Sequence, residues 1–213
     1  MSQFLGKIHY WLFHKIQLTE AVEKKIMAAA SQADLPVTGF EQESDSLFEA
    51  PLPAASLESL IDQQNIHGWL QHRIGQAESR QAFYVTRILD HSPQLKDSLA
   101  DIYREQAKDA ATMTVPAPAT PESMLQSIHD YLLEGMPCDR AQQIVQNSGS
   151  VLSWRYEPCL HRGYWESVDG DVSHYYDFRH AWINQYVSEL QPTWKYSLSD
   201  EGVHEIKKEE SAS

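Results

Sequence analysis

The stretch from Val151 to Val187 reads VLSWRYEPCLHRGYWESVDGDVSHYYDFRHAWINQYV and concentrates the residue types that do chemistry. Cys159, His161, Glu166, Asp171, His174, Asp177 and His180 bring together a thiol, imidazoles and carboxylates. These are the groups that acid–base and nucleophilic catalysis draw on. Single polar residues more often serve structure than catalysis, and a cysteine nucleophile needs a neighbouring base that spacing does not reveal. Trp165, Tyr175, Trp182 and Tyr186 interleave with these groups. Large aromatics usually form core, but with polar groups among them they can also wall a ligand pocket.

A second chemistry is metal binding. Cys138, Cys159, His161 and His174 would make a thiolate and imidazole set for a tetrahedral ion. Their spacing matches no common zinc pattern. Cys159 and His161 could share an ion only from irregular backbone. The competing reading buries both cysteines as small hydrophobes. The Asp169-Gly170-Asp171 turn lacks the ligand pattern of an EF-hand.

Earlier in the chain, His9 and His14 are five residues apart, as are His67 and His72. Five residues is about 140° around a helix, which is poor for chelation by one helix. One histidine from each helix could still meet across a bundle. Aromatic walls with one axial histidine would also suit haem. The cofactor expectation is therefore a metal ion or haem. Arg73, Arg80 and Arg87 recur at intervals of seven and share a stripe. The simpler reading is a solvated, salt-bridged face. The sharper one is a buried row gripping a carboxylate or phosphate.

The elements that must position these groups are mainly helical. Leu5, Ile8, Leu12, Thr19, Val22, Ile26 and Ala29 give a helix over 4–32. Residues 33–55 hold three prolines and an acidic run and read as a surface connection. Helices follow at 56–91, 93–112, 120–134, 137–148 and 172–189. A proline-rich spacer at 112–120 marks a subdomain boundary. Val151–Tyr156 alternates and suits a short strand, Pro158–Asp171 reads as irregular, and the tail after Trp194 as polar and frayed. No repeat occurs at the periods that mark solenoids. The fold class expected is mainly α: a single-domain helical bundle over 1–213, with an irregular aromatic-rich segment before the last helix.

Composition narrows the function classes. A net charge of −13 disfavours nucleic-acid binding through a broad basic face. It equally disfavours docking on an anionic membrane. Two cysteines make no disulfide framework, and no apolar run approaches the roughly 20 residues of a membrane span. The N-terminal run, broken by Lys7, His9, His14 and Lys15, is not a signal peptide. A cytoplasmic acidic protein is the simplest reading.

The ending HYYDFRHAWINQYVSEL, after a series of helices, resembles the last helix of haem-oxygenase-like folds. The likeness covers too little of the chain to transfer residue roles. Three functions stay open. The first is binding of a small ligand or metal cofactor by His161, Trp165, His174, Tyr175 and Trp182, with His9, His67 or Arg73 from the bundle. The second is an enzyme using the same pocket. The third is an accessory or interaction protein without a small ligand, using the first helix at a homodimer or partner interface.

Overall fold

A computed structural model describes residues 5–209. Among these the chain forms eight helices and one four-stranded sheet, a mainly α architecture. The expected helix start at residue 4 and the end of the polar tail at 210–213 lie outside the described residues.

Two long helices form the frame. α1 spans Lys7–Gln32 and α4 spans Ile66–His91. On α1 the buried Leu12, Ile16, Ile26 and Ala30 follow helical spacing, and on α4 Leu70, Ile74 and Ala77 do the same. Asn65 caps α4 by accepting the Gly68 N–H at 3.1 Å. The helices run side by side in one direction: His9 meets His67 near their starts, and Glu23 meets Arg80 further along.

α5 (Lys96–Met113), α6 (Pro121–His129) and α8 (Ser173–Leu190) pack beside this frame. α5 is entered through a 3-10 turn at Pro93–Leu95. Thr120 caps α6 by accepting the Ser123 N–H at 3.2 Å, with Pro121 in the first turn. The spacer between α5 and α6 is tied to the body. Thr114 Oγ1 lies 2.8 Å from the Tyr186 hydroxyl, and Gln191 donates to the Pro118 carbonyl.

Several expectations are corrected. The helix expected over 137–148 is a 3-10 turn at Pro137–Asp139 followed by strand β1, Gln142–Ser148. Left-handed Arg140, at φ 48°, stops the turn, and the β-branched Ile144-Val145 pair suits a strand. The expected strand at Val151–Tyr156 is β2. It pairs antiparallel with β1 across the Gly149-Ser150 turn, with Ser148 opposite Val151. The frayed tail is instead a hairpin of β3 (Trp194–Leu198) and β4 (His204–Lys208), giving sheet order β1-β2-β4-β3. Leu152, Trp154, Trp194, Tyr196 and Ile206 supply its buried face, packed on Trp182, Ile183 and Tyr186 of α8.

The 33–55 connection contains α2, Val37–Leu47. Its Phe40 and Ser44 are buried and its acidic side faces solvent. The 56–91 helix is interrupted: α3 covers only Leu57–Leu60, and α4 begins after Asn65. The irregular 158–171 stretch holds one short helix, α7, at Arg162–Glu166.

The buried side chains fall into three apolar groups. One joins the early turns of α1 and α4 to Leu133 and Met136. The second joins their later turns to α5, Trp165 and Phe178. The third lies between α5, α6, α8 and the sheet. Buried polar side chains form a further collection: Lys15, Glu78, His161 and Arg179 are buried, and Glu134 pairs with His161 and Arg179.

Candidate ligand site

His161 is the hub of this polar collection. Its ring is 2% exposed. Nδ1 sits 3.1 Å from both carboxylate oxygens of Glu78 on α4, and Nε2 sits 3.2 Å from Glu134 in the loop after α6. The Tyr175 ring stacks on it at a centroid distance of 3.9 Å. Glu134 in turn pairs with the Arg179 guanidinium of α8. Arg179 Nη1 donates to the Tyr175 hydroxyl at 3.0 Å and Nη2 to the Tyr156 hydroxyl at 2.9 Å. The result is a relay of alternating charge, Glu78–His161–Glu134–Arg179, fenced by phenols.

Burial disfavours every charge here, so each must be held by its neighbours. For His161, burial pulls the pKa down, but Glu78 and Glu134 prevail and raise it to about 10. For Glu134, burial pushes up, but Arg179 and His161 prevail and bring the carboxyl down to about 2. Lys15 is 1% exposed, its ammonium 3.6 Å from the Trp11 ring centroid, and burial lowers it to about 8 against the pull of Glu134. His129 and His204 nearby are neutral at pH 7, because burial lowers them to about 4 and about 3. The cations Lys15, His161 and Arg179 thus gather around Glu78 and Glu134, and Asp130 adds a further carboxylate toward Lys15.

Two spaces reach this relay from opposite sides. A cavity of about 40 Å³ is bordered by Glu78, Gln81, Tyr103, Gln106, Tyr175 and Arg179. Arg179 is 4% exposed, and its Nε is buried without a hydrogen-bond partner among the described residues. A pocket of about 240 Å³ lies on the other side, against Gln71, Ile74, Glu78, Asp139, His161 and Tyr164.

Of the residues expected to line one pocket, the structure brings only His161 and Tyr175 together. Trp165 is core, packed against Gly170 and 6.4 Å from the His174 ring. His174 lies between Trp165 and Phe178, with its basicity lowered by burial. Trp182 is core, although its Nε1 donates to Gln106 at 3.1 Å. Arg73 serves a different network. The metal quartet is not assembled either. Cys138 is exposed, the Cys159 sulfur accepts the Tyr176 hydroxyl at 2.7 Å, and both ring nitrogens of His161 face carboxylates. Among the described residues no three His, Cys, Asp or Glu side chains could hold a metal ion.

Haem fares no better. His9 and His67 do meet, Nε2 to Nε2 at 3.4 Å, but His9 Nδ1 accepts the Gly6 N–H at 2.9 Å. That bond places the proton of neutral His9 on Nε2, where it bonds to His67 rather than leaving a lone pair for iron. The catalytic set is scattered too. Glu166, Asp171 and Asp177 are exposed, and only His161 reaches the relay.

The arginine stripe corrects the solvated reading. Arg73 and Arg80 are 7% and 1% exposed. Arg80 donates to Glu20 at 2.7 Å and to Glu23 at 3.1 Å, and Arg73 to Glu49 at 2.7 Å. Arg87, partly exposed, holds Glu43 at 2.7 Å. The row grips carboxylates of its own chain, and with them the segment after α2. Leu52 N–H is accepted by both oxygens of Glu20, and the Glu49 and Ala50 carbonyls accept from Arg80 and Arg73.

One signal in the sequence foreshadows both networks. Ile-His-x-Trp-Leu-x-His-Lys/Arg-Ile occurs at 8–16 and again at 66–74, with Glu20 and Glu78 four residues beyond each copy. The copies open α1 and α4. Their first histidines touch, and each glutamate receives one N–H on both oxygens, from Leu52 in one case and from His161 in the other. Glu134, Tyr156 and Arg179 had no such marker. No family model, curated protein or solved structure matches this chain, so the site is read from its own geometry.

Proposed function

We propose that this protein binds a small anionic molecule in the small cavity beside Arg179. The observation that carries the reading is Arg179, a buried guanidinium that borders the cavity and whose Nε has no hydrogen-bond partner among the described residues. Buried cations are costly unless paired, and a guanidinium matches planar anions. The Tyr175 hydroxyl accepts from Arg179 and so keeps its own proton to donate. Tyr103, whose ring stacks on Phe178 at 4.9 Å, also borders the cavity. Binding is favoured over acid–base catalysis, because His161 is held as an imidazolium between two carboxylates and is a poor base at neutral pH.

The test is a thermal-shift and calorimetric panel of acetate, formate, phosphate and sulfate, with methylammonium as the cationic control. Wild type is expected to be stabilised by one or more anions and not by methylammonium. Lys15→Met removes a cation coupled to Arg179 and Glu134 and is expected to lose at least tenfold in anion affinity while keeping its fold by circular dichroism. Equal response to anions and methylammonium, or unchanged affinity in Lys15→Met, overturns the reading.

A further inference from the structure

Above the 40 Å³ cavity a second space opens between α1 and α5. It measures about 190 Å³, and Leu18, Ala21, Val22, Ala110, Met113 and Tyr131 give it an apolar lining. His14, Lys25 and Asp109 stand at its rim. Leu18, Val22, Gln106 and Tyr131 border both spaces. A single layer of side chains therefore separates an apolar surface groove from the charged relay.

Gln106 is the polar member of that layer. Its Nε2 donates to the Leu18 carbonyl at 3.0 Å, and its Oε1 accepts from Trp182 at 3.1 Å. Its side chain thus bridges α1 and α8 across the passage. Met113, 74% exposed, is a flexible apolar wall at the outer end.

Resting on the anion reading above, we infer that the ligand is an amphipathic monocarboxylate. Its carboxylate sits against Arg179, Tyr175 and Tyr103, and its apolar chain lies in the groove between α1 and α5. Three arguments select this class. One unpartnered guanidinium nitrogen, on Arg179, asks for a single anionic head. The inner cavity is only about 40 Å³, the scale of a small planar head rather than a bulky polyanion. The groove offers mostly aliphatic wall, which recognises chain length and not polar detail. Entry requires the Gln106 side chain to swing away from Leu18 or Trp182.

The test is calorimetry with acetate, butanoate, hexanoate, octanoate and decanoate, with octanol and octylammonium as controls. Two variants accompany it. Ala21→Trp fills the groove from an exposed position of α1. Tyr103→Phe keeps the ring stacked on Phe178 and removes one donor. The acids are expected to tighten by about fourfold per methylene until the groove is full. Octanol and octylammonium are expected to bind at least tenfold more weakly than octanoate. Ala21→Trp should flatten the chain-length series, and Tyr103→Phe should weaken all the acids by a similar factor.

The failures separate. If acetate or phosphate binds through Lys15 but chain length has no effect, the amphipathic inference is overturned and the anion reading stands. If octanol binds as tightly as octanoate and Tyr103→Phe changes nothing, the head placement is overturned. If no anion of either panel binds, both fall together.

Discussion

The two ionic networks on either side of the α1–α4 pair are built from the same duplicated motif and end differently. On one side Glu20, Glu23 and Glu49 surround Arg73 and Arg80, and the chain segment 49–52 closes over them. On the other side Glu78 and Glu134 face Lys15, His161 and Arg179 beside a cavity. Among the described residues each side has one guanidinium Nε without a hydrogen-bond partner, on Arg73 and on Arg179. Space separates them. In the first network Glu49 reaches solvent and the seat beside the arginines is occupied by backbone. The second has room beside Arg179. Buried ion pairs are weak evidence for stability in themselves, and what distinguishes a site from a brace is a charged group next to a cavity.

The largest expected effect tests whether both networks brace the fold. Arg80→Met leaves Glu23 buried without its cation and Arg179→Met leaves Glu134 with His161 alone, losses on the order of 3–5 kcal/mol. Urea denaturation should show similar losses for the two. Only Arg179→Met should abolish anion binding; loss in both would dissolve the distinction between brace and site.

Lys15→Met should go the other way in stability. The folded pKa of Lys15, about 8, lies below its ordinary 10.5, so its proton destabilises the fold at neutral pH. The penalty fades as pH rises from about 8 to 10.5. Replacing it should therefore stabilise by about 1–3 kcal/mol at pH 6, with an advantage that shrinks above pH 8.

The networks should also titrate in different windows. Glu23 is raised by burial to about 7 from 4.5, against the pull of Arg80. Its contribution is present below pH 4.5 and lost as pH rises through about 7. His161, raised from 6.5 to about 10, contributes fully below pH 6.5 and loses its contribution as pH rises through about 10. Melting temperatures across pH 4–11 should show Glu23→Gln flattening the lower slope and His161→Gln the upper one. A single slope removed by both variants would mean one coupled network.

The smallest effect concerns the second opening. Gln71, exposed at the 240 Å³ pocket, is the counterpart of buried Phe13 in the other motif copy. Gln71→Phe should change stability by no more than about 0.5 kcal/mol. It should leave anion affinity unchanged if entry runs between α1 and α5; a loss of affinity would move the entrance to this pocket.

Much of the helical frame was legible because apolar spacing reports the buried face directly, as Leu12, Val22 and Ile26 do on α1, although Ile8 of the same stripe is exposed. β1 was misread because its pairing partner, β2, supplies the reason to be a strand, and the exposed Gln142–Ser148 has no inward periodicity of its own. The tail hairpin was missed for the same reason: Trp194, Tyr196 and Ile206 are apolar at alternate positions but gain meaning only against Trp182 and Tyr186. His161 and Tyr175 stood out among the aromatics of Val151–Val187. Glu134, after a helix end, and Arg179, one of several charged residues on α8, carried no local sign of burial.

The sequence by itself determined the presence of the long helices, the cap at Thr120 and the duplicated histidine–tryptophan motif, because these depend on spacing within one segment. Which glutamate meets which cation was decided by tertiary structure alone. Glu78 and His161 are 83 residues apart, and only packing settles whether a charge is paired, surplus or solvated.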